Sequence, residues 1–188
     1  LSGNSPVIGT GIWTLISGPN IPSITTPSNP ASNVTGMMTG VYVFRWTVTN
    51  GTCSSSTDNV QITIFSLPTN SNAGVDQNLC NVNSATLNGN GPVVGTGTWT
   101  QLSGPNIVTI TLPSNPLSTV TGMIAGTYSF NWSIVSGVCA SSDDDVQIIV
   151  YDLPTVSDAG PDQELCNVSA ATLAGIIPVS GTGTWTLV

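Results

Sequence analysis

The sequence predicts an all-β protein made of tandem antiparallel β-sandwich domains, with almost no helix. Three observations carry that expectation. The chain repeats itself every 86 residues, with Trp13, Trp99 and Trp185 standing in GTGIWT, GTGTWT and GTGTWT. Within one period, short β-branched and aromatic runs are separated by Gly, Pro, Asn and Ser at the roughly 8–12-residue spacing of a sandwich. No 11-residue window sets apolar residues at i, i+3, i+4 and i+7 without a Pro or Gly inside it, so the helical period is missing.

The repeat comes first, because it sets the size of the folding unit. Gly51, Cys53 and Asp58 recur as Gly137, Cys139 and Asp144, and Tyr42, Phe44 and Trp46 recur as Tyr128, Phe130 and Trp132. Cys80 recurs as Cys166, and AGVDQNLCN at Ala73–Asn81 returns as AGPDQELCN at Ala159–Asn167. No gap is needed. A unit of 86 residues can hold its own core, which argues for a string of domains over a short-period solenoid. The last strand of each unit runs into Leu67-Pro68 or Leu153-Pro154, where proline withdraws a ladder donor. The expected division is therefore the latter part of one domain (1–67), one complete domain (68–153) and the opening strands of a third (154–188). Leu173–Val188 re-reads Leu1–Ile16, so the chain is expected to be a window on a longer array.

In the complete repeat the strand candidates follow in order. Ala85–Leu87, Thr98–Leu102, Val108–Thr111 and Ser118–Thr121 are short, and Gly-Pro, Ser-Asn-Pro and Thr-Gly separate them. Gly126–Ile134 alternates strictly. Tyr128, Phe130, Trp132 and Ile134 fall on one face, and Thr127, Ser129, Asn131 and Ser133 on the other. Ser136-Gly137 signals a turn, and Val146–Tyr151 reads as the next strand.

Composition narrows function by exclusion. Arg45 is the one basic residue, set against eight Asp and Glu164, and there is no Lys or His. Charged residues are 5% of the chain, where about a quarter is usual. A nucleic-acid partner is excluded, because binding it needs cations to release phosphate counterions. Catalysis by a His base, a Lys Schiff base or a Ser–His pair is excluded because the groups are absent. A hydrophobic content of 39% and a mean hydropathy of +0.27 fit a folded chain. No apolar run approaches the roughly 20 residues of a membrane span.

The runs GTGTWTQLSGPN (Gly95–Asn106), AGTYSFNWSIVSGVC (Ala125–Cys139) and SSDDDVQIIV (Ser141–Val150) resemble the PKD-like branch of immunoglobulin-like domains. The opening AGxDQxLC followed by ATL is similar to the PKD-like repeats of very large secreted bacterial surface proteins of the Bacteroidetes type. The W-D-F-G-D-G loop of the polycystin-type domain is absent. The resemblance implies a disulfide within one unit, between Cys80 and Cys139. The rival pairing joins Cys53 to Cys80 and Cys139 to Cys166, closing 27-residue loops across the domain joints. Either pattern implies an oxidising, extracytoplasmic compartment. The resemblance also makes Trp13, Trp99 and Trp185 core residues, along with Tyr128, Phe130 and Trp132. Tyr42 and Tyr128 resemble a tyrosine corner.

Asp143-Asp144-Asp145, Asp152, Asp158 and Asp162 fall around the expected joint between the second and third domains. Oxygen-rich joints can hold Ca²⁺. At the preceding joint, however, only Asp58 and Asp76 persist, so the simpler reading has these carboxylates binding turn amides and no metal or cofactor. The resulting expectation is a non-catalytic structural and adhesive stalk on a cell surface. Its partners are neighbouring repeats, with lateral self-association into filaments and surface glycans as further candidates. The alternative is a carbohydrate- or ligand-binding module of a secreted enzyme. Gliding or attachment adhesins exported by the type IX pathway are the analogues that the resemblance implies.

Overall fold

The computed structural model describes residues 1–187. It contains twelve strands and no helix among the described residues: β1 Thr10–Ser17, β2 Ser23–Ile24, β3 Val34–Thr35, β4 Gly40–Thr49, β5 Ser56–Ile64, β6 Gln77–Cys80, β7 Ser84–Thr86, β8 Thr96–Ser103, β9 Thr109–Ile110, β10 Thr119–Thr121, β11 Gly126–Val135 and β12 Ser142–Tyr151. The chain divides into two compact units. One is Leu1–Pro68 with the turn Val135–Ala140, and the other is Thr69–Ile134 with Ser141–Val188.

The second unit holds a four-stranded sheet in the order β6-β12-β11-β8 and a three-stranded sheet in the order β7-β10-β9. β11 and β12 form its long antiparallel hairpin, in register from Gly126↔Val150 to Ile134↔Ser142. The alternation read from the sequence is the reason. Tyr128, Phe130, Trp132 and Ile134 are all fully buried, and Val146, Ile148 and Val150 of β12 point into the same core. Leu87, Trp99, Val120 and Met123 complete it. The pairing of β6 with β12 is parallel, with Gln77 opposite Ile148 and Cys80 opposite Tyr151.

The first unit repeats the plan with fewer strands. Its sheet order is β1-β4-β5, and β2 pairs with β3. Trp13 stands opposite Trp46, and a bulge falls between Leu15 and Ser17. Trp13, Tyr42, Phe44 and Trp46 form its core.

Two expectations need correcting. The aspartate run Asp143–Asp145 lies inside β12, not in a joint, and faces Ser133, Trp132 and Asn131. Asp143 and Asp145 stand opposite the polar Ser133 and Asn131, while Asp144, opposite Trp132, receives the amide of Ala73. Residues 154–187 form no strand, and Trp185 is 55% exposed instead of buried.

Candidate functional site

The polar residues that recur every 86 positions form three constellations in the second unit. The first surrounds the tryptophans. Trp99 and Trp132 meet at a ring-centroid distance of 5.0 Å and a tilt of 36°, and Trp13 and Trp46 reproduce this at 5.1 Å and 41° in the first unit. Trp99 Nε1 donates to Pro116 O at 3.1 Å, and Gly89 N donates to the same carbonyl at 2.9 Å. Asn115 Oδ1 holds that turn by accepting from Leu117 N at 3.0 Å. The matching bonds in the first unit run to Pro30 O from Trp13 Nε1 at 3.0 Å and from Gly3 N at 2.9 Å. The Pro-Ser-Asn-Pro string at Pro27–Pro30 and Pro113–Pro116 was visible in the sequence as turn punctuation, but its carbonyl's role as a tryptophan acceptor was not.

The second constellation is the tyrosine corner. The Tyr128 hydroxyl accepts from Ile124 N at 2.8 Å and donates to Asn106 Oδ1, and Asn106 Nδ2 donates to Gly122 O at 2.8 Å. Tyr42 does the same with Met38 N at 2.7 Å and Asn20 Oδ1. The Gly-Pro-Asn triplets that end β1 and β8 therefore supply the residue that orients each phenol. Sequence reasoning placed the tyrosine and missed the asparagine.

The third constellation fastens the segment before β6 to β12. Asp144 Oδ2 accepts from Ala73 N at 2.7 Å, Ser142 Oγ from Ser71 N at 2.9 Å, and Asp76 Oδ1 from Gln147 N at 2.8 Å. The two recurrent carboxylates, Asp76 and Asp144, are thus committed to backbone amides. Among the described residues no three His, Cys, Asp or Glu side chains are grouped to hold a metal ion. Asp143 is separate. The Ser133 hydroxyl, and after it that of Ser141, hold its carboxyl below the usual range, and its 2.6 Å bond from Ser141 lies in solvent.

This constellation yields a paired prediction. Asp144→Ala leaves a half-buried amide unpaired, so it should cost the second unit about 1–3 kcal/mol. Asp58 holds only the amide of its neighbour Asn59, so Asp58→Ala should change stability by less than about 0.5 kcal/mol. Urea melts of the two variants check this; equal losses would refute the clamp.

The cysteines are not where the resemblance implied. All four are free. Cys80 ends β6 beside Tyr151, the last residue of β12, while Cys139 lies in the turn before β12 begins. A ten-residue strand separates them, roughly 30 Å at about 3.3 Å per residue, whereas a disulfide needs Cα atoms about 4.4–6.8 Å apart. A Cys80–Cys139 bond within one repeat is therefore geometrically closed.

A family model described as K319L-like, PKD domain, matches residues 7–64 and 73–150. The mouse dyslexia-associated protein KIAA0319-like protein is 30% identical over 131 residues, covering 64% of this chain and 12% of its own length. The chain thus corresponds to a small part of that relative. The solution structure of the PKD domain from the KIAA 1837 protein is 27% identical, with a TM-score of 0.39 over 50% of this chain and 92% of that one. Mouse cadherin-23 EC22–24 is 11% identical, with a TM-score of 0.33 over 81% of this chain and 56% of that one. With both scores below 0.5, neither likeness bears on what the chain does.

Proposed function

We propose, from the premise that this chain belongs to the K319L-like PKD domain family, that its repeats form a non-catalytic spacer and adhesive region of a longer extracellular protein. Domain boundaries after Leu67 and Leu153 go with this reading. The observation that carries it is where the recurrent polar groups are spent. Asp76, Asp144, Asn106, Tyr128 and the indole N–H groups of Trp99 and Trp132 all bond within their own unit. Each repeat invests its chemistry in holding its own sandwich. On β11 the face turned away from the core is neutral and polar, made of Thr127, Ser129, Asn131 and Ser133.

The burial of Trp99 and Trp132 also removes the two largest aromatic faces of the second unit from sugar stacking. The chain carries a net charge of -8, with seven of its nine acids between Asp143 and Glu164. Contacts between neighbouring repeats are the partners that this reading requires.

Immunogold labelling of thin-sectioned source cells with an antibody to this chain tests the proposal. Label displaced outward from the envelope is expected, and label confined to the cell interior would overturn it. A second expected result concerns proteolysis at the surface. Arg45 sits mid-strand in β4, between Thr14 and Asn59, and donates from Nε to Asn59 Oδ1 at 3.0 Å. Trypsin should leave the native chain whole and cut it once, into 1–45 and 46–188, after denaturation. Rapid native cleavage would show that this sheet opens easily.

A further inference from the structure

Two kinds of cysteine recur, one ending β6 and one in the turn before β12, and no two of them can pair within a repeat. In the first unit the Cys139 thiol nonetheless has a defined place. Its Sγ lies 3.5 Å from Ser66 O and 4.0 Å from Phe65 O, at the residues that follow β5. Phe65 is the counterpart of Tyr151, one period earlier. In the second unit Tyr151 is the residue paired with Cys80, and its carbonyl accepts from Asn81 N at 2.8 Å. A β6-type strand laid on β5 in the same register would put its cysteine beside Phe65. It would also put the following asparagine N–H on Phe65 O, the carbonyl that Cys139 already approaches. Neighbouring parallel strands lie about 4.8 Å apart, so that cysteine would stand directly beside Phe65, whose carbonyl the Cys139 Sγ approaches to 4.0 Å.

We propose that the turn cysteine of each repeat, Cys139 here, forms a disulfide with the β6 cysteine of the repeat before it. Cys80 is then the donor to the turn cysteine of a following repeat. The bond joins residues from successive repeats, so it staples the array along its length. It differs from both pairings open to the sequence, because it links Cys139 neither to Cys80 nor to Cys166. The chemistry is thiol–disulfide exchange. The Cys139 thiolate attacks a low-molecular-weight disulfide such as oxidised glutathione and expels one glutathione thiolate. The β6 thiolate then displaces the second, so two cysteine thiols lose two electrons and two protons as one glutathione disulfide becomes two thiols. In the organism the bond rests on the extracellular reading above. The test uses purified protein, so its failure would leave that reading standing.

The chain itself supplies the missing strand. A second copy of Pro68–Thr86 fused ahead of Leu1 places a copy of β6 and of Cys80 in register with β5. Leu1 can take the join, because its N-terminal nitrogen already donates to Ser32 O at 2.8 Å and its counterpart Leu87 N donates to Ser118 O at 2.8 Å. After oxidation with glutathione disulfide, peptide mapping without reductant should find the added cysteine joined to Cys139. Iodoacetamide labelling of both should disappear, and the first unit should melt at a higher temperature until reductant is added. In the unextended chain, and in the extended chain carrying Cys139→Ser, no such bond should form and the remaining partner should stay alkylatable. Cys139 still alkylatable in the extended protein, at whatever melting temperature, would overturn the proposal. So would pairing of the added cysteine with Cys53, Cys80 or Cys166.

Discussion

Trp132→Ala should cost the second unit about 3–5 kcal/mol, a large share of its stability. The whole domain commands only about 0.05–0.15 kcal/mol per residue, or roughly 4–13 kcal/mol over 86 residues. Trp132 is fully buried between Trp99 and the backbone of Gly89 and Gly97, and its indole N–H donates to Asn90 O at 3.1 Å. Truncation opens a cavity the size of an indole, strips Trp99 of its aromatic partner and orphans the Asn90 carbonyl. Trp46→Ala should cost its own unit less, because Trp46 Nε1 is buried without an acceptor and one of those terms is missing there. Circular dichroism of urea melts reads both. A loss below about 1 kcal/mol for Trp132→Ala would mean that the tryptophan pair does not anchor the sandwich.

Gly97→Ala should be nearly as damaging, although it adds a single methyl group. A Cβ at Gly97 would stand 2.1 Å from Cζ2 and 2.4 Å from Cη2 of Trp132, well inside van der Waals contact. Gly11 meets Trp46 in the same way, at 2.0 Å and 2.4 Å. Overpacking of this kind costs about 1–3 kcal/mol, and here the obstacle is a ring locked between two backbones. The cause can be isolated. Phenylalanine at position 132 lacks the six-membered part of the indole that the new methyl would strike. In a Trp132→Phe background, Gly97→Ala should therefore lose most of its penalty, a coupling of more than about 1 kcal/mol in a double-mutant cycle. Additive losses would show that the glycine is needed for some reason other than the ring.

These two residues also show what a sequence can and cannot disclose. Strict alternation exposed β11 and its inward face, because a half-buried antiparallel strand writes its period directly into the residue order. The start of β12 hid behind Asp143–Asp145, since charge reads as loop when nothing shows that Asp144 has an amide to receive. β6 hid for a related reason. Gln-Asn-Leu-Cys has no β-strand signature, and its place on the sheet comes from a parallel pairing with residues some seventy positions away. Gly97 looked like part of a repeated motif, but only the tryptophan ring opposite it explains why no side chain fits. The cysteines were the plainest miss. Resemblance put one of each kind in a unit, and the length of β12 keeps them at opposite ends.

The central claim is that each 86-residue repeat is a self-sufficient sandwich whose recurrent residues serve its own fold. Calorimetry of residues 68–153 expressed alone tests it most directly. The account predicts one cooperative transition, with equal calorimetric and van't Hoff enthalpies near roughly 60 kcal/mol and a midpoint within a few degrees of the same unit in the full chain. A chain that shows no transition, or that melts only when the flanking residues are restored, would contradict it.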